Sequence, residues 1–492
     1  MNDNPSHSHP TTGAILARCV GALSIATILN GCSQPLGLGS GTSGLTPPPT
    51  AGGTAGVGGG AAAPVRARLT PTDTNNVVTD GFRIVVVKHW DIRVDPGTCL
   101  IGGKPVAVGN PTLLTEAAPD TIPIRAERLM LSSESSRSGE RGSLLQGLEI
   151  DSTAISEALD PASVRVWSAS GGDRHVFRSN ADYSVDSRSG RISRKTSGSI
   201  PTDSPVFVDY DVRQIRIDLI EIKPNGTVVL KNGTPSKTAP PLPEVDSGAL
   251  PLARVFLDYG AASLSPDAIF SIGPPLPPVT DADRKAMVAH VSRTRTKLQA
   301  NEPVTIAFWS DMVPANGAAG ASTHGFPEIV EAALQAQFKG AKVSIVNASF
   351  RGSNIAVRLP KLQDEVLSHH PDLVVVGFLN DMSLPQGELR RDYTTAVQQL
   401  KAAGCEVILT TPNLTAPSSP SLRALRERDG RKDVKIIRDV AREQGVGLAD
   451  VSQRWEHLSQ EGIPFTALLY NGIDQPDSRG QQIYANTIAK FF

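Results

Sequence analysis

The sequence is short of aromatic residues, of net charge and of cysteine, and each shortage excludes something. Phe, Trp and Tyr make up 5% of its 492 residues. Lys and Arg number 48 against 49 Asp and Glu, a formal net charge of -1. That balance offers no electrostatic footprint for nucleic acid or for an anionic membrane surface. The four cysteines, Cys19, Cys32, Cys99 and Cys405, show no CxxC spacing, and no His/Cys cluster occurs. Neither a zinc site nor a disulfide framework is therefore indicated, and no cofactor or metal is expected. What is plentiful is glycine (44) and proline (38), gathered near the N-terminus and in the central region. A hydrophobic content of 39% with 20% charged residues suits a soluble protein that buries real cores. At roughly 100–200 residues per domain, the length implies two or three folded units.

The start of the chain reads as a targeting segment. A polar stretch ends at Arg18, and "CVGALSIATIL" follows, an apolar run too short to span a bilayer but suited to the core of a secretory signal. Next, "LNGC" ending at Cys32 resembles the lipobox of bacterial lipoproteins. The resemblance implies cleavage before Cys32, lipidation of that cysteine and, with Ser33 after it, the outer membrane of a Gram-negative cell. Residues 1–32 are thus assigned to the signal. Residues 33–68 are Gly, Ala, Ser, Thr and Pro with almost no charge. Such a segment buries too little apolar surface to offset its ordering entropy and is expected to be a tether reaching roughly 30–35 Å.

Residues 69–275 read as mostly antiparallel β-structure. Runs such as "FRIVVVKHWDIRV", "PVFVDYDV" and "QIRIDLIEI" are short and rich in β-formers, several alternating apolar with polar. Asn225-Gly226 is a strong hairpin signal. The stretch from "ADYSVDSRSGRISR" to "LPLARVFLD" resembles modules of phage tail-fibre and baseplate proteins, which implies a structural or adhesive role at a cell surface. His89 and His175 stand alone on strand-like runs and are read as solvated or core residues.

From residue 276 the pattern changes. A Pro-rich hinge leads to Thr280 or Asp281 as helix N-cap, and one helix is expected through "DRKAMVAHVSRTRTKLQ". Val- and Ile-rich strands then alternate with helices, including "VTIAFW", "KVSIVNAS", "DLVVVGF", "EVILTTP" and "VGLADV". The expected fold is α/β, a parallel sheet with helices on both faces, whose working residues gather at the carboxyl ends of the strands. Those ends deliver Trp309-Ser310-Asp311, "NASFRG" (347–352), "GFLND" (377–381) and "NGIDQPD" (471–477).

With these four blocks, residues from about 300 to 492 resemble the SGNH hydrolases, also called GDSL esterases. The resemblance implies a flavodoxin-like three-layer fold over 276–492 and assigns each block a role. The first block carries Gly-Asp-Ser with a nucleophilic serine; aligning "IAFWSD" on it puts Trp309, Ser310 and Asp311 at those three positions. The second supplies an oxyanion-hole glycine, matched here by Ser349, with Gly352 as the block's later glycine. The third supplies an oxyanion-hole asparagine, kept as Asn380. The last supplies an Asp/His pair before a proline; Pro476 puts Gln475 at the histidine with Asp474 beside it, and Gln481 where a second histidine is usual.

An amide such as Gln475 takes no proton near neutral pH, and attack by the Asp311 carboxylate would leave an anhydride with no base to resolve it. The leading expectation is thus a lipid-anchored surface protein with a degenerate hydrolase-fold domain. Its pocket of Trp309, Ser310, Asp311, Ser349, Asn380 and Asp474 would bind a glycan or acylated saccharide, with Trp309 as an aromatic face. The alternatives are an active esterase with an altered catalytic set and a purely structural, adhesive protein. Ser310 as nucleophile would require a one-residue shift to the other face of the strand. His324 is the candidate replacement base, His369-His370 and His457 read as structural, and Asp311 with Asp474 would form a carboxylate pair for acid/base or metal chemistry.

Overall fold

The computed structural model describes residues 75–134, 142–150, 153–170, 173–312, 325–416 and 431–492. The signal and lipobox with Cys32, the tether and His324 lie outside the described residues. In the N-terminal half, the strands pair antiparallel in small sheets around two cores. One core is built on Ile92, Val94, Ile220 and Val255, the other on Val166, Ile192, Val208 and Tyr210. The Asn225-Gly226 turn forms as expected. Gly226 has φ of +83°, the Thr227 N–H donates to Asn225 Oδ1 at 3.0 Å, and Arg216–Ile222 pairs with Val228–Lys231.

One strand departs from its pattern. Arg216–Ile222 alternates apolar with charged residues, which predicts a wet face, yet every one of its residues is buried. Its sheet is covered on both sides, by its own β core through Ile220 and Ile222 and by the C-terminal domain through Ile217. Arg216 and Asp218 survive burial because they are paired with each other, while burial pushes the nearby Glu116 carboxyl up to about 8 and Glu221 accepts from the Asp246 N–H. Arg216 meets Asp218 at 2.7 Å and Glu116 at 3.3 Å, and the Gly233 N–H donates to Asp218 Oδ1 at 2.6 Å.

In the C-terminal half, five parallel strands lie in the order Lys342–Asn347, Pro303–Ser310, Leu373–Gly377, Glu406–Thr410, Gly447–Ala449. Numbered along the chain, this is the 2-1-3-4-5 order of flavodoxin-like sheets. Helices Phe326–Gln337 and Ser478–Ala489 cover one face; Gln386–Ala402 and Lys432–Gln444 cover the other. The expected three-layer parallel fold is what the chain adopts. Side chains of the first strand alternate between the two cores, Ile306 and Phe308 to one, Ala307 and Trp309 to the other. Thr280 is the N-cap, its side chain accepting from the Asp283 N–H. Two segments with a helical pattern are broken. The first breaks at 290–291 into Asp281–Ala289 and Ser292–Gln299. The run "RLPKLQDEVLSH" becomes short turns, because Pro360 lacks an N–H and crowds the residue before it.

The halves share one core. Ile215, Ile217, Phe256 and Phe270 of the β sheet pack in the same cluster as Trp455, Leu458, Phe465 and Leu468. Around it, the Arg254 guanidinium donates to the Glu461 carbonyl at 2.8 Å, the Gly273 N–H to the Gln460 carbonyl at 2.8 Å, and Arg479 to the Pro240 carbonyl at 3.2 Å. Cutting the chain at residue 276 would leave this apolar face uncovered. Phe270→Ala is therefore expected to cost about 3–5 kcal/mol and to lower the thermal unfolding of both halves together. Calorimetry showing two separate transitions, only one of them shifted, would contradict a common core.

Candidate functional site

The site is built where the first strand leaves the sheet. Pro303–Ser310 lies inside the sheet between Lys342–Asn347 and Leu373–Gly377, and all its residues from Ile306 onward are buried. Trp309 is fully buried, edge-on against Phe378 at 5.1 Å between centroids, with its indole N–H 3.4 Å from Glu365 Oε2. It offers no aromatic face to a ligand. Ser310 is also buried, its hydroxyl 2.7 Å from that of Ser349 and its carbonyl accepting from the Phe350 N–H at 2.9 Å.

Asp311 is the first residue past the strand, and it is turned inward. Only 2% exposed, its carboxylate accepts from the Leu379 N–H at 2.7 Å, the Asn380 N–H at 2.9 Å and the Asn380 side-chain amide at 2.7 Å. Burial pushes this carboxyl up to about 6, against the pull of those three donors. The third-block turn that supplies them leaves the sheet at Gly377, where an added Cβ would sit 1.9 Å from Thr410 Oγ1. Only glycine permits that approach. The neighbouring Asp381 is held neutral-leaning by burial while accepting from the Ile355 N–H at 2.8 Å.

The donors expected to hold an oxyanion are already engaged. Asn380 gives its amide to Asp311, and the Ser349 N–H donates to Asn347 Oδ1 at 3.2 Å. Gly352 sits in an exposed turn with φ of +71°. In the last block, Asn471 organises the loop. Its Oδ1 accepts from the N–H groups of Ile473, Asp474 and Gln475, each at 3.0 Å, and its Nδ2 donates to Asp474 Oδ1 at 2.7 Å. Gln475 is buried, and Gln481 spends its side-chain oxygen on the Phe326 N–H at 3.0 Å.

Residues 308–483 match the model of the GDSL-like lipase/acylhydrolase family. This segment is a GDSL-like hydrolase domain. No curated protein matches the chain. Among solved structures, the acetyl xylan esterase AlAXEase is 21% identical, covering 37% of this chain and 97% of its own, with a TM-score of 0.31. An acetylxylan esterase mutant from Geobacillus stearothermophilus is 19% identical over 37% of this chain and 91% of its own, with a TM-score of 0.32. A two-domain esterase active on acetylated mannans is 15% identical over 41% and 52%, with a TM-score of 0.34.

The GDSL-like domain joins Ser310 to Ser349 and Asp311 to Asn380, but no hydrogen bond or ion pair among the described residues links either pair to Asp474 or Gln475. Among the described residues, no histidine ring bonds Ser310 or Asp311, and no group of three or more His, Cys, Asp or Glu converges as a metal site. His457 instead bonds the Pro274 carbonyl at 3.1 Å, at the boundary between the halves. Sequence reasoning passed over Asn471, although an Asn-Gly pair signals a turn whose side chain can gather the next N–H groups.

Because folding raises the Asp311 carboxyl from 3.8 to about 6, its stabilising share is complete below pH about 4 and is lost as pH rises through about 6. Asn380→Ala removes a donor that favours the charged form. Urea unfolding should show a cost of about 1.5–3 kcal/mol at pH 8 and a smaller one at pH 4. An equal cost at both would mean that the carboxyl does not titrate in this range.

Proposed function

We propose that this protein is a surface lipoprotein whose GDSL-like domain has lost hydrolysis and serves to bind a glycan or acylated saccharide. The observation that carries the loss of chemistry is the side chain that stands at the nucleophile position. Asp311 is not that side chain, because its carboxylate is held under the third-block turn by three donors and turned away from any substrate. Its geometry favours a different register for the first block, with Ser310-Asp311-Met312 on Gly-Asp-Ser. Asp311 then keeps the motif's aspartate, and Met312, 3% exposed in the core, takes the nucleophile position. A thioether carries no proton to surrender and cannot form the acyl ester that the reaction requires. Gln475 at the base position takes no proton either, so attack and leaving-group protonation both lack an agent.

Membrane attachment through Cys32, at the outer membrane, rests on "LNGC" and the uncharged stretch after it. Two measurements test the proposal. The full chain should hydrolyse p-nitrophenyl acetate no faster than buffer, whereas Met312→Ser with Gln475→His should gain turnover that Asp311→Ser with Gln475→His does not. Clear wild-type turnover abolished by Ser310→Ala would make the protein an active esterase. For the anchor, Cys32→Ala should move the protein from the membrane fraction to the soluble extracytoplasmic fraction. Unchanged membrane partition would remove the lipid from the account.

A further inference from the structure

Two carboxylates share one guanidinium in the β-rich half, and their surroundings make them unequal. The side chains of Glu116 and Asp218 are both closed to solvent, and Arg216 pairs with each. Asp218 is fully engaged. Its Oδ1 accepts from Arg216 Nε at 2.8 Å and from the Gly233 N–H at 2.6 Å, and its Oδ2 accepts from Arg216 Nη2 at 2.7 Å. Glu116 Oε2 accepts from the same Nη2 at 3.3 Å, and its Oε1 is buried with no partner for an ionised oxygen. One guanidinium offsets one negative charge, so ionising both acids would leave an uncompensated charge inside the protein. The proton therefore belongs on Glu116. Burial, and then the hydrogen bond to Asp218 that this proton completes, hold the Glu116 carboxyl up at about 8.

Glu116 also has a way out that Asp218 lacks. Asp218 stands within Arg216–Ile222, a strand paired on both sides. Glu116 follows the end of Thr112–Thr115, and Ala117 and Ala118 after it are exposed. Two bonds hold this short segment down: the Glu116 N–H donates to the Trp90 carbonyl at 2.9 Å, and the Ala117 carbonyl accepts from Arg216 Nη2 at 3.0 Å. The charges that act on Glu116 are those of Asp218 and Arg216. Opposite the cluster, Leu250–Leu257 meets Asp218 with Val255 and Arg216 with Leu257, both apolar. Beside Trp90, His89 is exposed and Asp91 accepts from the Thr115 hydroxyl at 2.8 Å.

We infer that Glu116, Arg216 and Asp218 form a proton-controlled clasp, which holds residues 116–118 against the buried strand while Glu116 keeps its proton and releases them when it ionises. The ionised carboxylate gains water by swinging out with its exposed neighbours, and Arg216 stays with Asp218. The device is independent of what the GDSL-like domain binds. Because folding raises the Glu116 carboxyl from 4.5, its stabilising share is complete below pH about 4.5 and is lost as pH rises through about 8.

The test is hydrogen exchange of the full chain at pH 7 and pH 9.5, corrected for the intrinsic change in exchange rate. Amides of residues 114–118 in the wild type are expected to lose about tenfold or more of their protection between the two. Glu116→Gln keeps the shape of the protonated acid and supplies a permanent N–H to Asp218, so its protection should change by less than about threefold. Glu116→Ala, with no carboxyl to ionise, should show the same flat response and serves if the glutamine variant does not fold. Unchanged wild-type protection would overturn the clasp. A wild-type-sized loss in either variant would assign the titration to another group and overturn it equally.

Discussion

A single buried carboxylate organises the carboxyl edge of the parallel sheet. Asp311 sits just beyond the first strand and draws together two backbone N–H groups and one side-chain amide from the third-block turn. That turn leaves its strand at Gly377 and would otherwise end in unsatisfied donors. Holding the charge under protein raises the carboxyl to about 6, so the interaction is made at the expense of desolvation. Ser310, Ser349, Asn380 and Asp381 all take their places around this clamp. Residue types that look reactive in a linear sequence are here engaged with one another.

The second constraint is the shared core. The β module is joined to the α/β domain through its most buried strand, Arg216–Ile222, and through a strap that carries Thr238, Ala239 and Pro240 to the last block. Thr238 donates to the Tyr470 carbonyl at 2.5 Å, and Arg479, which pairs with the helix-capping Asp477, donates to the strap's carbonyls. The loop that holds Asp474 and Gln475 is therefore braced from outside its own domain.

Much of the architecture was legible in the sequence because it rests on periodicity and local turn chemistry. The Val/Ile strands separated by helices gave the parallel sheet, Asn225-Gly226 gave a hairpin, and Thr280 a cap. The failures share a cause: tertiary contacts decided what local pattern left open. The polar letters of "QIRIDLIEI" promised solvent on one face, and ion pairs in a doubly covered sheet replaced it. Trp309 could face a ligand or the core, and only the packing against Phe378 resolves it. Alignment of the first block was off by one residue: Trp-Ser-Asp shares no position with Gly-Asp-Ser, whereas Ser-Asp-Met keeps its aspartate. One residue in an extended chain reverses the side chain's direction.

The last block shows what such an arrangement permits. Its shape is held by one asparagine oxygen gathering three successive main-chain groups, with no help from the side chain of residue 475. Form and reactivity are thus entrusted to different atoms of the same loop. A replacement at residue 475 can alter what the loop does to a substrate and leave its outline intact.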